Sequence, residues 1–170
     1  MQKPLPGPVP AERPAMGWRE WIALPDFGVD AIEVKVDTGA RSSALHAFES
    51  VRFRRGGRRM VRFKIHPFPR NLNVTMEVVA ELQGVRKVRS SSGRQELRPW
   101  VLATVEYGGQ RWPIELTLTA RDAMGFRMLL GREAIRGRFN VDPDRSWIGG
   151  KPAVASRYER SRSRKRKVVR

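Results

Sequence analysis

The sequence predicts a mostly β domain. Three observations lead there: apolar residues alternate with charged ones at a period of two, Gly and Ser separate these runs, and few segments have the composition of a helix. With 170 residues, no Cys, and 40% hydrophobic residues, the chain has room for one ordinary domain.

Taken in order, Pro4, Pro6, Pro8, Pro10 and Pro14 break any regular element, so residues 1–15 are expected to be disordered. Ile32, Val34 and Val36 alternate with Glu33 and Lys35, which describes a strand with one buried face, and Val51 and Phe53 continue the pattern. Val61, Phe63 and Ile65 alternate with Arg62 and Lys64 after Gly56-Gly57, whose freedom at positive φ suits a hairpin turn. Met76–Leu82, Pro99–Glu106 and Trp112–Thr119 are rich in β-branched and aromatic residues, with turns at Gly84, Ser90 to Gly93 and Gly108-Gly109. Arg132–Gly137 reads as a short helix, and Ser42–Phe48 as a second candidate. The domain is therefore expected over residues 16–150. Residues 151–170 form a basic tail, since 156–170 hold eight Lys or Arg and one Glu, too little apolar surface to offset the entropy of ordering.

Thirty-four Lys or Arg against 17 Asp or Glu leave a net charge of +17, which argues for an anionic partner. No run approaches the roughly 18–20 apolar residues of a membrane span, and no apolar signal core stands at the N-terminus, so no membrane contact and a cytoplasmic location are expected. Without Cys, thiol catalysis, disulfides and Cys-based zinc sites are excluded. His46 and His66 stand twenty residues apart with no His-Glu-x-x-His spacing, and no Gly-rich loop ends in Gly-Lys-Ser or Gly-Lys-Thr, so no metal or cofactor is expected. Asp26-Phe27-Gly28 spells a kinase triplet, but none of the accompanying kinase motifs is present.

The informative segment is Glu33–Leu45, EVKVDTGARSSAL, a strand that ends in Asp37-Thr38-Gly39 and a loop of small residues. A buried carboxylate costs several kcal/mol unless it is paired. Asp37 therefore either faces a cleft or is held by hydrogen bonds, and an Asx-turn closing the strand is one way to hold it. A second segment, Met128–Ile135, MLLGREAI, runs from an apolar strand through Gly131-Arg132 into the short helix.

Together these two segments resemble the retropepsins, the one-domain relatives of pepsin. With VRSSSGRQELRPWV and FNVDP, the chain more closely resembles a bacterial family of retropepsin-like aspartic endopeptidases, historically labelled ATP-dependent zinc proteases, over about Met16–Gly150. The resemblance implies a closed all-β acid-protease barrel with one short helix, acting as a two-fold homodimer. It implies hydrolysis of peptide bonds by a water held between two Asp37 carboxylates about 3 Å apart; with one Asp-Thr-Gly per chain, the second would come from another copy. Asp37, Thr38 and Gly39 would be catalytic. Ala40, Arg41, Ser42, the flap residues Ser91, Ser92 and Gly93, and Trp100 would touch substrate, while Leu130, Gly131 and Arg132 support the loop. Viral retropepsins are acidic where Arg41 stands, so Arg41 implies an acidic side chain in the substrate. His46 either contacts this loop or packs structurally. Relatives of the family occur beside ligases that add glutamate to proteins, which implies an acidic peptide or polyglutamylated protein as substrate. The alternative class is a basic RNA- or ribosome-binding protein on a non-catalytic version of the fold, with the tail as an RNA contact.

Overall fold

The computed structural model describes residues 12–68, 71–90, 92–120, 125–153 and 155. Most of the tail and the first eleven residues lie outside these ranges, as do Ser91 and Asp122. Among the described residues no helix is long and apolar enough to cross a membrane.

The chain is mostly β, as its alternation predicts. The strands are β1 (Ala15–Leu24), β2 (Val29–Asp37), β3 (Ser43–His46), β4 (Phe48–Arg55), β5 (Arg58–Ile65), β6 (Met76–Glu81), β7 (Gly84–Arg89), β8 (Gln95–Tyr107), β9 (Gln110–Thr119), β10 (Met128–Gly131) and β11 (Asn140–Ser146), and a short helix, α1 (Arg132–Ile135), follows β10. The expected hairpin turn at Gly56-Gly57 is present, with φ of 56° and 77° joining β4 to β5 as a two-residue turn of that kind requires.

Eight strands form one sheet in the order β11-β1-β2-β10-β3-β9-β8-β7, and β4-β5-β6 form a second. The expected closed barrel needs correction. The large sheet curls until β1 meets β8, but that seam is the single pair Ala23↔Glu106, and β7 and β11 extend beyond it. Ser42–Phe48 is also corrected from helix to strand: β3 is held on one side by β10 and on the other by β9, and this pairing overrides local composition.

The main core gathers Ile32, Val34, Leu45, Val105, Leu116 and Leu130 from the large sheet with Val61 and Phe63 from the small one. Phe27 and Phe63 meet edge to face at 5.8 Å and join the two layers. A smaller cluster packs Trp21, Ala31 and Phe68 with Ala155, so Ala155 lies against the domain. β1 lies between these clusters, with Ile22 and Leu24 in one and Trp21 in the other. A strand covered on both faces loses its alternation.

One buried acid ties β1 to the far end of the chain. Glu20 is fully buried, and its carboxylate accepts the backbone N–H groups of Gly17 at 2.7 Å, Ile148 at 2.8 Å and Gly149 at 3.3 Å. The Tyr107 hydroxyl also donates to it. Burial first, then the charge and hydrogen bond of Glu20, hold the Tyr107 phenol well above its ordinary range. Such a carboxylate is stable inside because its lone pairs are used.

Two outcomes follow for this clamp. Glu20→Gln puts an amide N–H among four donors, so thermal unfolding should show a loss of about 2–3 kcal/mol. For Tyr107, a folded pKa above the unfolded value means that its contribution is complete below the unfolded value of about 10 and is lost as pH climbs above it. Urea unfolding across the alkaline range should therefore show a steeper fall in stability for the native chain than for Tyr107→Phe.

Candidate functional site

The site is built where β2 ends. β10 runs parallel beside it, pairing Leu130 with Val36 and Gly131 with Asp37. Beyond Asp37 the chain loops through residues 38–42 and returns as β3, which pairs with the other edge of β10. The loop therefore wraps around the end of β10, close to Gly131. A Cβ at Gly131 would overlap the carbonyl of Ser42, so only glycine lets these two backbones approach.

The Asp37 side chain closes the loop on itself. Its Oδ1 accepts the N–H of Gly39 at 3.0 Å and of Ala40 at 3.1 Å. This is the Asx-turn geometry anticipated for a strand-ending Asp. Neither bond uses Oδ2. Asp37 is half-buried, and Thr38 and Gly39 are exposed.

The helix that follows β10 is capped by the same loop. Gly131 has no side chain with which to cap α1, and the first N–H groups of a helix need acceptors. The Ala40 carbonyl accepts the N–H of Arg132 at 2.8 Å, and the Arg41 carbonyl that of Glu133 at 3.1 Å. The Arg132 guanidinium reaches back to the Thr38 carbonyl at 3.0 Å. At the other end, the indole N–H of Trp112 donates to the Ala134 carbonyl at 2.8 Å, fastening α1 to β9.

Beneath the loop lies Ser43, whose importance is not evident from the sequence. Its buried Oγ accepts the N–H of Gly131 at 3.0 Å, and its carbonyl accepts the Thr117 hydroxyl at 3.1 Å. The signal was a Ser opening a strand that is otherwise apolar inside. Arg41 is 82% exposed and pairs with Glu133 at 3.7 Å, while Arg136 meets the same carboxylate at 3.2 Å. Exposed pairs of this kind add little stability.

The hairpin expected as a flap is β7–β8. Its turn is closed by the Ser90 N–H donating to the Arg94 carbonyl at 2.7 Å and the Gly93 N–H donating to the Ser90 carbonyl at 2.9 Å. Gly93 has φ of 81°, and Ser92 hydrogen-bonds Ser90 through their hydroxyls at 2.8 Å. Ser91 lies outside the described residues. Trp100 stands at the hairpin base, pairing with Gly84 and Thr117, and the Arg86 guanidinium lies 4.5 Å from its ring centroid. Asp37, Thr38, Ala40 and Arg41 are thus joined directly to Gly131, Arg132 or Glu133. The hairpin is linked to them through Thr117, with β10, β3 and β9 between it and β2. His46 and His66 lie on either side of Phe48, with ring centroids at 6.4 and 4.6 Å, and His66 Nδ1 is within 3.2 Å of the Val74 carbonyl.

Two substitutions test how the loop is held. Gly131→Ala should be the more damaging, since backbone rather than a flexible side chain must move; thermal unfolding should show a loss of about 2 kcal/mol or more. Ser43→Ala orphans a buried N–H and should cost about 1–3 kcal/mol.

Comparison with known proteins places this geometry. Residues 15–152 match the RimB-like family, described as the retropepsin-like aspartic endopeptidase RimB. Among curated proteins, the chain is 46% identical over 131 residues to a probable alpha-L-glutamate ligase of Parasynechococcus marenigrum (strain WH8102), covering 77% of this chain and 28% of that protein. It is 41% identical over 135 residues to another of the same name from Shewanella pealeana, covering 79% and 30%. The chain therefore spans less than a third of the length of these two relatives. The crystal structure of Lpg0085, a protein of unknown function from Legionella pneumophila, matches with a TM-score of 0.67 and 28% identity, over 80% of this chain and 98% of that one. These names correct the expected function. Four curated relatives at 36–46% identity are named for ligation of glutamate, not for hydrolysis of peptides. The match over residues 15–152 establishes that the chain belongs to the RimB-like family, a family of enzymes.

Proposed function

We propose that this chain serves alpha-L-glutamate ligation as the unit that receives the glutamate-bearing peptide, with loop 37–42 as its contact. The observation that carries this reading is the 46% identity over 131 residues with a probable alpha-L-glutamate ligase. The loop supplies chemistry that suits such a peptide. Its exposed Arg41 offers a guanidinium to a glutamate carboxylate, and Asp37 keeps Oδ2 outside the turn, able to accept from a peptide N–H or an ammonium group. Because Arg132, Ser43 and Gly131 fix the loop's backbone, both groups stand on a frame that needs little reordering on binding. Making an amide from a carboxylate requires an activated acyl group. We assign that activation to the ligase partner or domain, and retention of the growing acidic chain to this one.

The test combines the purified chain with a ligase of the named class, labelled glutamate and an acceptor peptide ending in glutamate. The chain should increase incorporation, and Arg41→Glu should weaken binding of an oligo-glutamate peptide several-fold, on the order of 1 kcal/mol for an exposed pair. Asp37→Asn keeps the Oδ1 acceptor and so the loop, and it should reduce the gain in incorporation with little change in melting temperature. Incorporation indifferent to the chain, together with peptide binding indifferent to Arg41→Glu, would overturn the proposal. So would release of glutamate from a preformed chain by the native protein and not by Asp37→Asn, which is the behaviour of the hydrolase class in the family's description.

A further inference from the structure

The small sheet carries a surface that loop 37–42 does not use. Residues 52–62, RFRRGGRRMVR, hold six Arg and no acid, and they make up the β4–β5 hairpin. Directly opposed residues of neighbouring strands share a face. Val61 and Phe63 are fully buried, which sets the inner face. Met60 and Arg62 therefore lie on the outer one. Across the strands this gives two outward rows, Phe53–Met60–Glu81 and Val51–Arg62–Val79, with Arg55 and Arg58 opposed at the hairpin end.

The outer face mixes cations with exposed apolar surface. Val51 is 47% and Val79 38% exposed, flanking Arg62 on both sides. The Arg55 guanidinium lies 5.3 Å from the Phe53 ring centroid. Arg58 pairs with Glu81 at 3.4 Å, and Lys64 with Glu49. Glu77, opposed to Lys64, faces the same way, and all three acids sit toward the margins, on β6 and at the start of β4. Arg54 and Arg59 oppose each other on the other face of the hairpin, so guanidinium groups project on both sides of its tip.

We propose that this face binds single-stranded nucleic acid, with phosphates held by Arg55, Arg58 and Arg62 and bases lying on Phe53, Val51 and Val79. The choice of partner follows from the combination. An acidic peptide would satisfy the cations but leave the apolar rows without a counterpart. A nucleotide strand brings both, because each phosphate suits a guanidinium fork and each base presents an apolar face. The inference stands independently of the reading given to loop 37–42.

The experiment uses the full chain and fluorescein-labelled oligouridylate and oligothymidylate of about 20 nucleotides, longer than the ~4–16 that one small module covers. The triple variant Arg55→Ser, Arg58→Ser, Arg62→Ser should weaken binding of both probes at least tenfold. Its dependence on salt should become shallower by about 2 in the logarithmic slope, about 0.7 for each phosphate that no longer meets a guanidinium. A triple variant in the tail, Arg162→Ser, Arg164→Ser, Arg166→Ser, removes the same charge and should weaken binding less than threefold. Val51→Ser with Val79→Ser should lower affinity several-fold at an unchanged slope. Should the hairpin triple variant lose its native circular dichroism, Arg62→Glu alone should still weaken binding several-fold. Equal losses from the two triple variants would overturn the proposal by reducing it to bulk charge. An oligo-glutamate of equal charge that binds as tightly and is lost with the same arginines would overturn it in favour of an acidic peptide, and a preference for duplex DNA would overturn it as well.

Discussion

At position 131 the absence of a side chain lets two backbones touch, and the geometry of the candidate site depends on that approach. The loop after Asp37 can cross the end of β10 because no methyl group stands between Gly131 and the Ser42 carbonyl. Once there, it supplies the acceptors that α1 lacks, and Ser43 takes the Gly131 N–H. The helix and the Asp37 turn thus stabilise each other. Their coupling is steric before it is electrostatic, since the ion pair on the loop's surface is long and exposed.

The local half of this arrangement was legible in the sequence. Asp37 at a strand end, with Gly following, states its own turn, and β2 and β5 show their buried faces because each has one face in the core. What could not be read is carried by partners distant along the chain. Ser43 meets a residue 88 positions away, and Glu20 meets one 128 positions away. A carboxylate inside β1 looks like surface when its donors are invisible. β1 itself gave no period because both its faces are covered, and β3, with residues that suit a helix, became a strand because two neighbours offered it hydrogen bonds.

Family and relatives describe one scaffold in two chemical vocabularies. The family description speaks of an aspartic endopeptidase, and the curated relatives are named for joining glutamate. Both names concern bonds to an amino acid, and it is the relatives' names that correct the peptidase expectation. Fold alone does not select between them. The surface does add information: a net charge of +17 gives any polyanion a long-range attraction before contact is made.

A sheet whose curl meets at one residue pair keeps free margins, as a sealed cylinder does not. Such margins invite copies of a protein to zip together into aggregates. Here each carries its own deterrent. β11 contains Pro143, which has no N–H to offer. β7 carries Arg86, Lys87 and Arg89. The outer strands of the small sheet are charged in the same way, β4 with Arg52, Arg54 and Arg55 and β6 with Glu77 and Glu81. Like charges keep identical margins apart in a crowded solution. The incomplete seam thus leaves a molecule whose open margins resist pairing with their own kind.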